Sequence, residues 1–324
     1  MIDQGAKVTE FETKIKHYLG IDHAVAQASG TAALILALKT LDIAKGDEVI
    51  LPTYVCQSVM EAVFSVGANA KLCDVNEKGV MTKDTVRPLI NKNTKAIIAV
   101  HIFGHPCDIF KLQKFQVPII EDACQAFGLV VNGKMAGTIG EIGILSFHAT
   151  KCLTTGEGGM LVTNSDRVEA YARRLADGAE TPMPRCIAPM SDIQAVLGVS
   201  QLERYPEFII RRAELFEQYT QAANDAGILI KTDLRSNVPF RFSLSVNKDF
   251  YYFQKLFSKK KIAVRHGVDE LLHRLTGADD ALFPQATKLY QQTISVPFYP
   301  SLTSSEITQI KESFKILKNN ADRN

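Results

Sequence analysis

The sequence lacks the features that mark membrane, secreted and nucleic-acid-binding proteins. No stretch approaches the roughly 20 apolar residues that a membrane-spanning helix needs, and the first residues lack the basic and then apolar pattern of a signal peptide. The formal net charge is only +2, and the short lysine run at 259–261 is typical of a solvated helix end. We therefore expect a cytoplasmic protein that binds neither membranes nor nucleic acids.

Cysteine pairs with metal-ligand or redox spacing are also absent. The six cysteines are scattered without a C-x-x-C pair, which is typical of reduced thiols rather than of disulfides or a zinc site. What remains is a globular composition, with 46% hydrophobic and 22% charged residues. The 324 residues are too many for one ordinary core.

In the first half of the chain, short apolar runs alternate with helical patterns. Several runs, such as residues 142–147, are continuously apolar, as strands buried on both faces of a parallel sheet are. Repeated strand–helix units predict an α/β fold with crossover connections. A long helical stretch, interrupted near Pro206, follows, and then the pattern changes. We predict a large domain over residues 1–212 and a small α/β domain over 213–324, with a strand at residues 262–264.

Three segments of the large domain carry polar residues at the ends of predicted strands. Residues 29–34 (Ser-Gly-Thr-Ala-Ala-Leu) open a helix, whose free N–H groups and positive dipole end can bind a phosphate. By itself this pattern is equally typical of an ordinary N-cap. Glu121 and Asp122 terminate an apolar run, so one carboxylate is expected at the ligand-binding edge of the sheet. No neighbouring residues offer metal-ligand spacing, and we predict no metal site.

Lys151 belongs to the third segment. It lies five residues after Ser146, among apolar and small polar residues, where burial favours the neutral amine that imine chemistry requires. Taken singly, it is more typical of an ordinary lysine in a glycine-rich turn. A phosphate site, a carboxylate and a lysine together fit pyridoxal phosphate (PLP), because a carboxylate keeps the pyridine nitrogen protonated and the ring can then absorb electrons.

The sequence resembles the DegT/DnrJ/EryC1/StrS family of PLP-dependent nucleotide-sugar aminotransferases. The resemblance implies a fold type I, aspartate aminotransferase-like transferase, with Lys151 binding the cofactor covalently and moving a proton, and Asp122 pairing with the ring nitrogen. The similar stretches are residues 29–34, 46–52, 100–104, 121–126, 146–159 and 191–195. The other cofactor-binding residues that it implies are Gly30, Thr31, Ala32 and Ser146 at the phosphate, Gln125 at the ring hydroxyl oxygen and Cys56 against the ring.

The sequence departs from the family pattern at several positions. Family members usually begin with a further N-terminal segment. Cys56 occupies the position of an aromatic residue that covers the ring, a role that Tyr54 could take instead. Ile187 lies near the position of an Asn that the partner subunit offers to the phosphate, although Arg185 could supply charge there. The substrate loop is altered at residues 265–273.

The activity implied by the resemblance is transfer of an amino group, with glutamate as the donor, to a keto-sugar linked to a nucleoside diphosphate, in a homodimer. One branch of the family dehydrates sugars and has His at the position of Lys151, so the lysine argues against that branch. Two alternatives remain open: another PLP-dependent reaction on the same scaffold, and a non-catalytic partner or regulatory descendant.

Overall fold

The computed structural model describes residues 5–176, 188–228, 230, 238–246, 249–315 and 317. Its eleven described strands are β1 (His23–Gln27), β2 (Glu48–Pro52), β3 (Asn69–Cys73), β4 (Thr94–Val100), β5 (Ile119–Asp122), β6 (Val130–Val131), β7 (Lys134–Met135), β8 (Ile142–Ser146), β9 (Gly159–Thr163), β10 (Phe242–Ser245) and β11 (Thr293–Val296).

The helices precede and follow these strands along the chain. None of the helices in the described ranges is both long and apolar enough to cross a lipid bilayer. The helices are α1 (Ala6–Leu19), α2 (Gly30–Thr40), α3 (Gln57–Ser65), α4 (Lys83–Val86), α5 (Ile109–Leu112), α6 (Asp166–Ala176), α7 (Asp192–Glu203), α8 (Tyr205–Asp225), α9 (Phe250–Ser258), α10 (Leu272–Leu275), α11 (Pro284–Gln292) and α12 (Ser304–Ser313).

Seven strands form a central sheet in the order β1-β9-β8-β5-β4-β2-β3. The neighbours from β8 to β3 pair in parallel, and β9 is antiparallel to both β8 and β1. Strands β5 and β9 are buried along their whole length, as is typical of inner strands of a sheet that is covered on both faces. The predicted α/β fold with a mostly parallel sheet is confirmed.

The buried side chains form two clusters. The larger one surrounds the central sheet, and the smaller one contains β10, β11, α9 and α12. Helix α8 belongs to both, because Tyr205 is buried in the first cluster and Leu215 in the second. Phe240 and Leu271, which lie beyond residue 212, pack in the first cluster. The division into domains at residue 212 stays a prediction.

Two local expectations have different outcomes. The break near Pro206 is confirmed, since α7 ends at Glu203 and α8 begins at Tyr205, with the proline in its first turn. The strand predicted at residues 262–264 is wrong. Only Arg265 pairs there, through two backbone hydrogen bonds with Ser295, because the apolar side chains of this segment are buried without a continuous partner strand.

Candidate active site

A cavity of about 390 Å³ lies where the carboxyl ends of β5 and β8 meet the N-terminus of α2. This is the edge of an open α/β sheet at which ligands bind. Seven of the eight predicted site residues line it: Gly30, Thr31, Cys56, Asp122, Gln125, Ser146 and Lys151. The eighth, Ala32, is buried and does not line the cavity.

The N-terminus of α2 provides backbone donors at one end of this cavity. Ser29 is the N-cap, and its Oγ accepts the Ala32 N–H at 3.0 Å. The Ala33 N–H bonds to the Ser29 carbonyl. The amides of Gly30 and Thr31 come before this hydrogen-bonded ladder, so they and the helix dipole face the cavity. The donors available to an anion are therefore those of Gly30 and Thr31, whereas the Ala32 amide is used by the cap.

Glycine is required where β8 and β9 touch this helix start. A Cβ at Gly30 would lie 2.9 Å from the Cβ of Ser146. A Cβ at Gly159 would lie 2.3 Å from the Ser29 carbonyl carbon, closer than real Cβ contacts allow. The two glycines thus let Ser146 and the helix N-terminus approach the same point of the cavity.

Asp122 ends β5 and faces the cavity with only 5% of its surface exposed. Its Oδ1 accepts the backbone N–H of Cys124 at 2.9 Å, which fixes the orientation of the side chain. Because successive side chains of a strand point to opposite faces, Glu121 points away from the cavity.

Glu121 and His101 form a fully buried pair beneath the site. His101 Nδ1 accepts the Cys107 N–H at 2.9 Å, so its proton is on Nε2, which donates to Glu121 Oε1 at 2.8 Å. Glu121 Oε2 accepts the backbone N–H groups of Ile139 and Gly140 at 2.7 and 2.8 Å. Burial opposes ionisation, but these hydrogen bonds outweigh it and lower the pKa of Glu121.

Gln125 and Lys151 complete the polar lining. Gln125 Oε1 accepts the Phe103 N–H at 2.9 Å, which leaves the amide NH₂ group to donate to a ligand. Lys151 lies in a turn in which its N–H bonds to the His148 carbonyl at 2.9 Å. Its Nζ lies 5.5 Å from the centre of the Phe240 ring.

Of the residues that depart from the family pattern, one lines the cavity, one does not, and two lie outside the described residues. Cys56 is exposed and lines the cavity, whereas Tyr54 is buried against Phe103 and does not line it. Tyr54 therefore does not take the ring-covering position. Arg185 and Ile187 lie outside the described residues.

Phe240 and Arg241 also line the cavity, and sequence reasoning did not find them. Their segment carries no motif, and it is tertiary packing, with Phe240 in the larger buried cluster, that places it near Lys151. Glu157 also lines the cavity, and its Oε1 lies 3.4 Å from Nε2 of His148 in an exposed pair.

Comparison with known proteins places this geometry in a family. The sequence pattern of the DegT/DnrJ/EryC1/StrS aminotransferase family matches residues 1–315. The chain belongs to this family. It is 30% identical to a GDP-perosamine synthase of Vibrio cholerae, over 96% of this chain and 91% of the relative. It is also 30% identical to a dTDP-4-dehydro-2,3,6-trideoxy-D-glucose 4-aminotransferase of Saccharopolyspora spinosa, over 97% and 90%.

Solved structures share the fold. An aminotransferase from Psychrobacter cryohalolentis has a TM-score of 0.86 at 26% identity. The match covers 98% of this chain and 92% of that aminotransferase. A protein from Streptococcus pneumoniae, solved in a PMP form, has a TM-score of 0.88 at 25% identity. The match covers 98% of this chain and 92% of the other. The predictions of family, fold class and enzyme class are confirmed.

The buried Glu121–His101 pair leads to a pH-dependent prediction. Changing Glu121→Gln removes the charge and turns an amide NH₂ towards existing N–H donors, so we expect a loss of about 3 kcal/mol in unfolding free energy at pH 7. Since the folded pKa is lowered from 4.5, the carboxylate stabilises the fold above that pH and loses this effect as the pH falls. The difference from the unmodified protein should therefore shrink by about pH 3.5.

Urea denaturation at both pH values measures this difference. The matched control is Glu141→Gln, the same change at an exposed position nearby, which should alter stability by less than about 0.5 kcal/mol. A Glu121→Gln protein as stable as the unmodified one at pH 7, or a difference that grows in acid, would contradict the assignment.

Proposed function

We propose that this chain is a PLP-dependent aminotransferase that transfers an amino group from glutamate to a keto-sugar linked to a nucleoside diphosphate. The observation that carries the proposal is the meeting of the α2 amides, Asp122, Gln125 and Lys151 in one cavity, in a chain that belongs to an aminotransferase family. PLP is the cofactor of such an enzyme.

The cavity fits this cofactor in size and in its donor set. Its volume of about 390 Å³ lies within the range of small-molecule pockets. The amides of Gly30 and Thr31 and the Ser146 hydroxyl would hold the phosphate, and the free Gln125 amide would donate to the ring oxygen. Asp122 would pair with the ring nitrogen, and Cys56 would lie against the ring, where a thiol gives less contact area than an aromatic side chain.

The bound cofactor supplies an electron sink, and the protein supplies position and proton transfer. Asp122, whose Oδ1 accepts the Cys124 N–H, would face the ring nitrogen and stabilise its protonated form. Lys151 would hold the cofactor covalently, and its Nζ would carry a proton to and from the reacting carbon. Because Gln125 is fixed by the Phe103 amide, its donor keeps one orientation throughout.

The named relatives support a nucleotide-linked sugar as the acceptor. One is named for a GDP-linked product and another for a dTDP-linked substrate, so both nucleotides belong in a substrate test. Glutamate as the donor follows from the family resemblance. We further propose a cytoplasmic homodimer, as members of this family build each site from two subunits.

The lysine assignment is tested by covalent capture. After incubation with PLP and reduction with borohydride, we expect intact-mass analysis to show one added cofactor on the unmodified chain and none on Lys151→Ala. The control Lys134→Ala, at an exposed hairpin residue, should carry the cofactor. Capture at an undiminished level in the Lys151→Ala protein would refute the role.

Asp122→Asn keeps the shape of the side chain and removes its charge. The ring nitrogen then has no anionic partner, so we expect turnover to fall by about 10²-fold or more, the usual scale for losing a charge that acts in the transition state. Bound cofactor, measured by visible absorption, should be partly retained. Full turnover in a saturated variant would remove Asp122 from the mechanism.

The function itself is tested by incubating the purified protein with PLP, glutamate and a panel of GDP- and dTDP-linked 4-keto sugars. We expect formation of an amino sugar and of 2-oxoglutarate in equal amounts, followed by mass spectrometry. Conversion of glutamate without amination of any panel member would point to a different acceptor class, and inertness towards both would refute the proposal.

A further inference from the structure

A second cavity of about 620 Å³ adjoins the first and is not explained by cofactor binding. The two cavities share Thr150, Lys151, Phe240, Arg241 and Arg265 in their linings. Both therefore open on the same amine. A molecule in the second cavity could extend a reactive group past Lys151 into the first.

The charged side chains that line the second cavity are all positive. Lys151, Arg212, Arg241 and Arg265 line it, and no Asp or Glu is among the described lining residues. Arg212 is 5% exposed and donates through Nη1 only to backbone carbonyls, among them that of Phe240 at 3.2 Å. Its Nε is buried without a hydrogen-bond partner. Buried cations normally have an anionic partner, so this lining is incomplete without one.

Arg241 and Arg265 lie at the boundary of the two cavities. The Arg241 guanidinium lies 5.1 Å from the centre of the Phe103 ring, and its Nη1 donates to the carbonyls of His266 and Gly267 at 3.2 and 2.9 Å. Burial lowers the pKa of Arg241, and the positive charge of Arg265 acts in the same direction, against Tyr54 and Asp269. Both arginines line both cavities, and an anion bound between them would offset the repulsion between their positive charges.

Arg265 is anchored only through its backbone. Its N–H and carbonyl pair with Ser295, while its exposed guanidinium donates no hydrogen bond to any residue in the described ranges. The side chain is thus placed by the fold and left available to a ligand.

We propose that Arg241 and Arg265 bind the diphosphate of the nucleotide sugar, with the nucleoside in the second cavity and the sugar directed past Lys151 into the first. Arginine forks match phosphate oxygens in pairs. The second cavity is larger than the first, which suits a nucleoside better than the short chain of an amino-acid donor. This inference rests on the proposed function.

The test uses the PLP-loaded Arg265→Gln protein, because this change removes a charge without removing buried packing. The dissociation constants of GDP, dTDP and inorganic pyrophosphate are measured by calorimetry, and the KM for glutamate is measured in the half-reaction without nucleotide. We expect the constants for all three diphosphates to rise about tenfold or more, and the KM for glutamate to rise by a smaller factor. The matched control is Arg167→Gln, at an exposed position of α6 outside both cavities, which should bind as the unmodified protein does.

The outcomes separate this inference from the proposed function. Unchanged diphosphate binding in Arg265→Gln would overturn the inference. A rise in the KM for glutamate as large as that for the diphosphates would assign the arginines to the donor's carboxylates and also overturn it. If the unmodified holoenzyme converts glutamate but binds neither nucleotide, the nucleotide-sugar function fails as well.

Discussion

The buried carboxylate of Glu121 is the constraint on which the site depends. Its three hydrogen bonds join the end of β4, through His101, to the turn at Ile139 and Gly140. The end of β5 is therefore fixed on its far side. Because side chains alternate along a strand, fixing Glu121 there also fixes Asp122 in the cavity. The buried Glu121 thus sets the direction of Asp122, whose side chain lines the cavity.

The polar groups that line the first cavity come from both the backbone and the side chains. At the start of α2, the amides of Gly30 and Thr31 are positioned by the Ser29 cap and by close packing against Gly159. Opposite them, Asp122 and Gln125 are each held by a backbone amide. The first cavity is mixed in charge, with Asp122 and Lys151, and the second is positive. The two cavities therefore present different charges on either side of Lys151.

The sequence predicted those cavity residues whose positions follow from the ends of single strands and helices. Asp122, Ser146 and Lys151 were found because parallel strands bring their carboxyl ends to one edge, and Thr31 because a helix start exposes its amides. The resemblance also implied Ala32 at the phosphate, which stays a prediction. The bond from its amide to Ser29 Oγ depends on the rotamer of Ser29, which no sequence pattern encodes. Phe240 and Arg241 could not be predicted, since tertiary packing alone returns the chain to the cavity after α8.

Helix α8 connects the two buried clusters without interruption. Its 21 residues give a rod of roughly 30 Å at the usual rise of an α-helix, with Tyr205 in one core and Leu215 in the other. Arg212, between them, ties the rod to the backbone at Pro239, Phe240 and Phe298. A change in the separation of the two cores would therefore require this rod to bend or pivot.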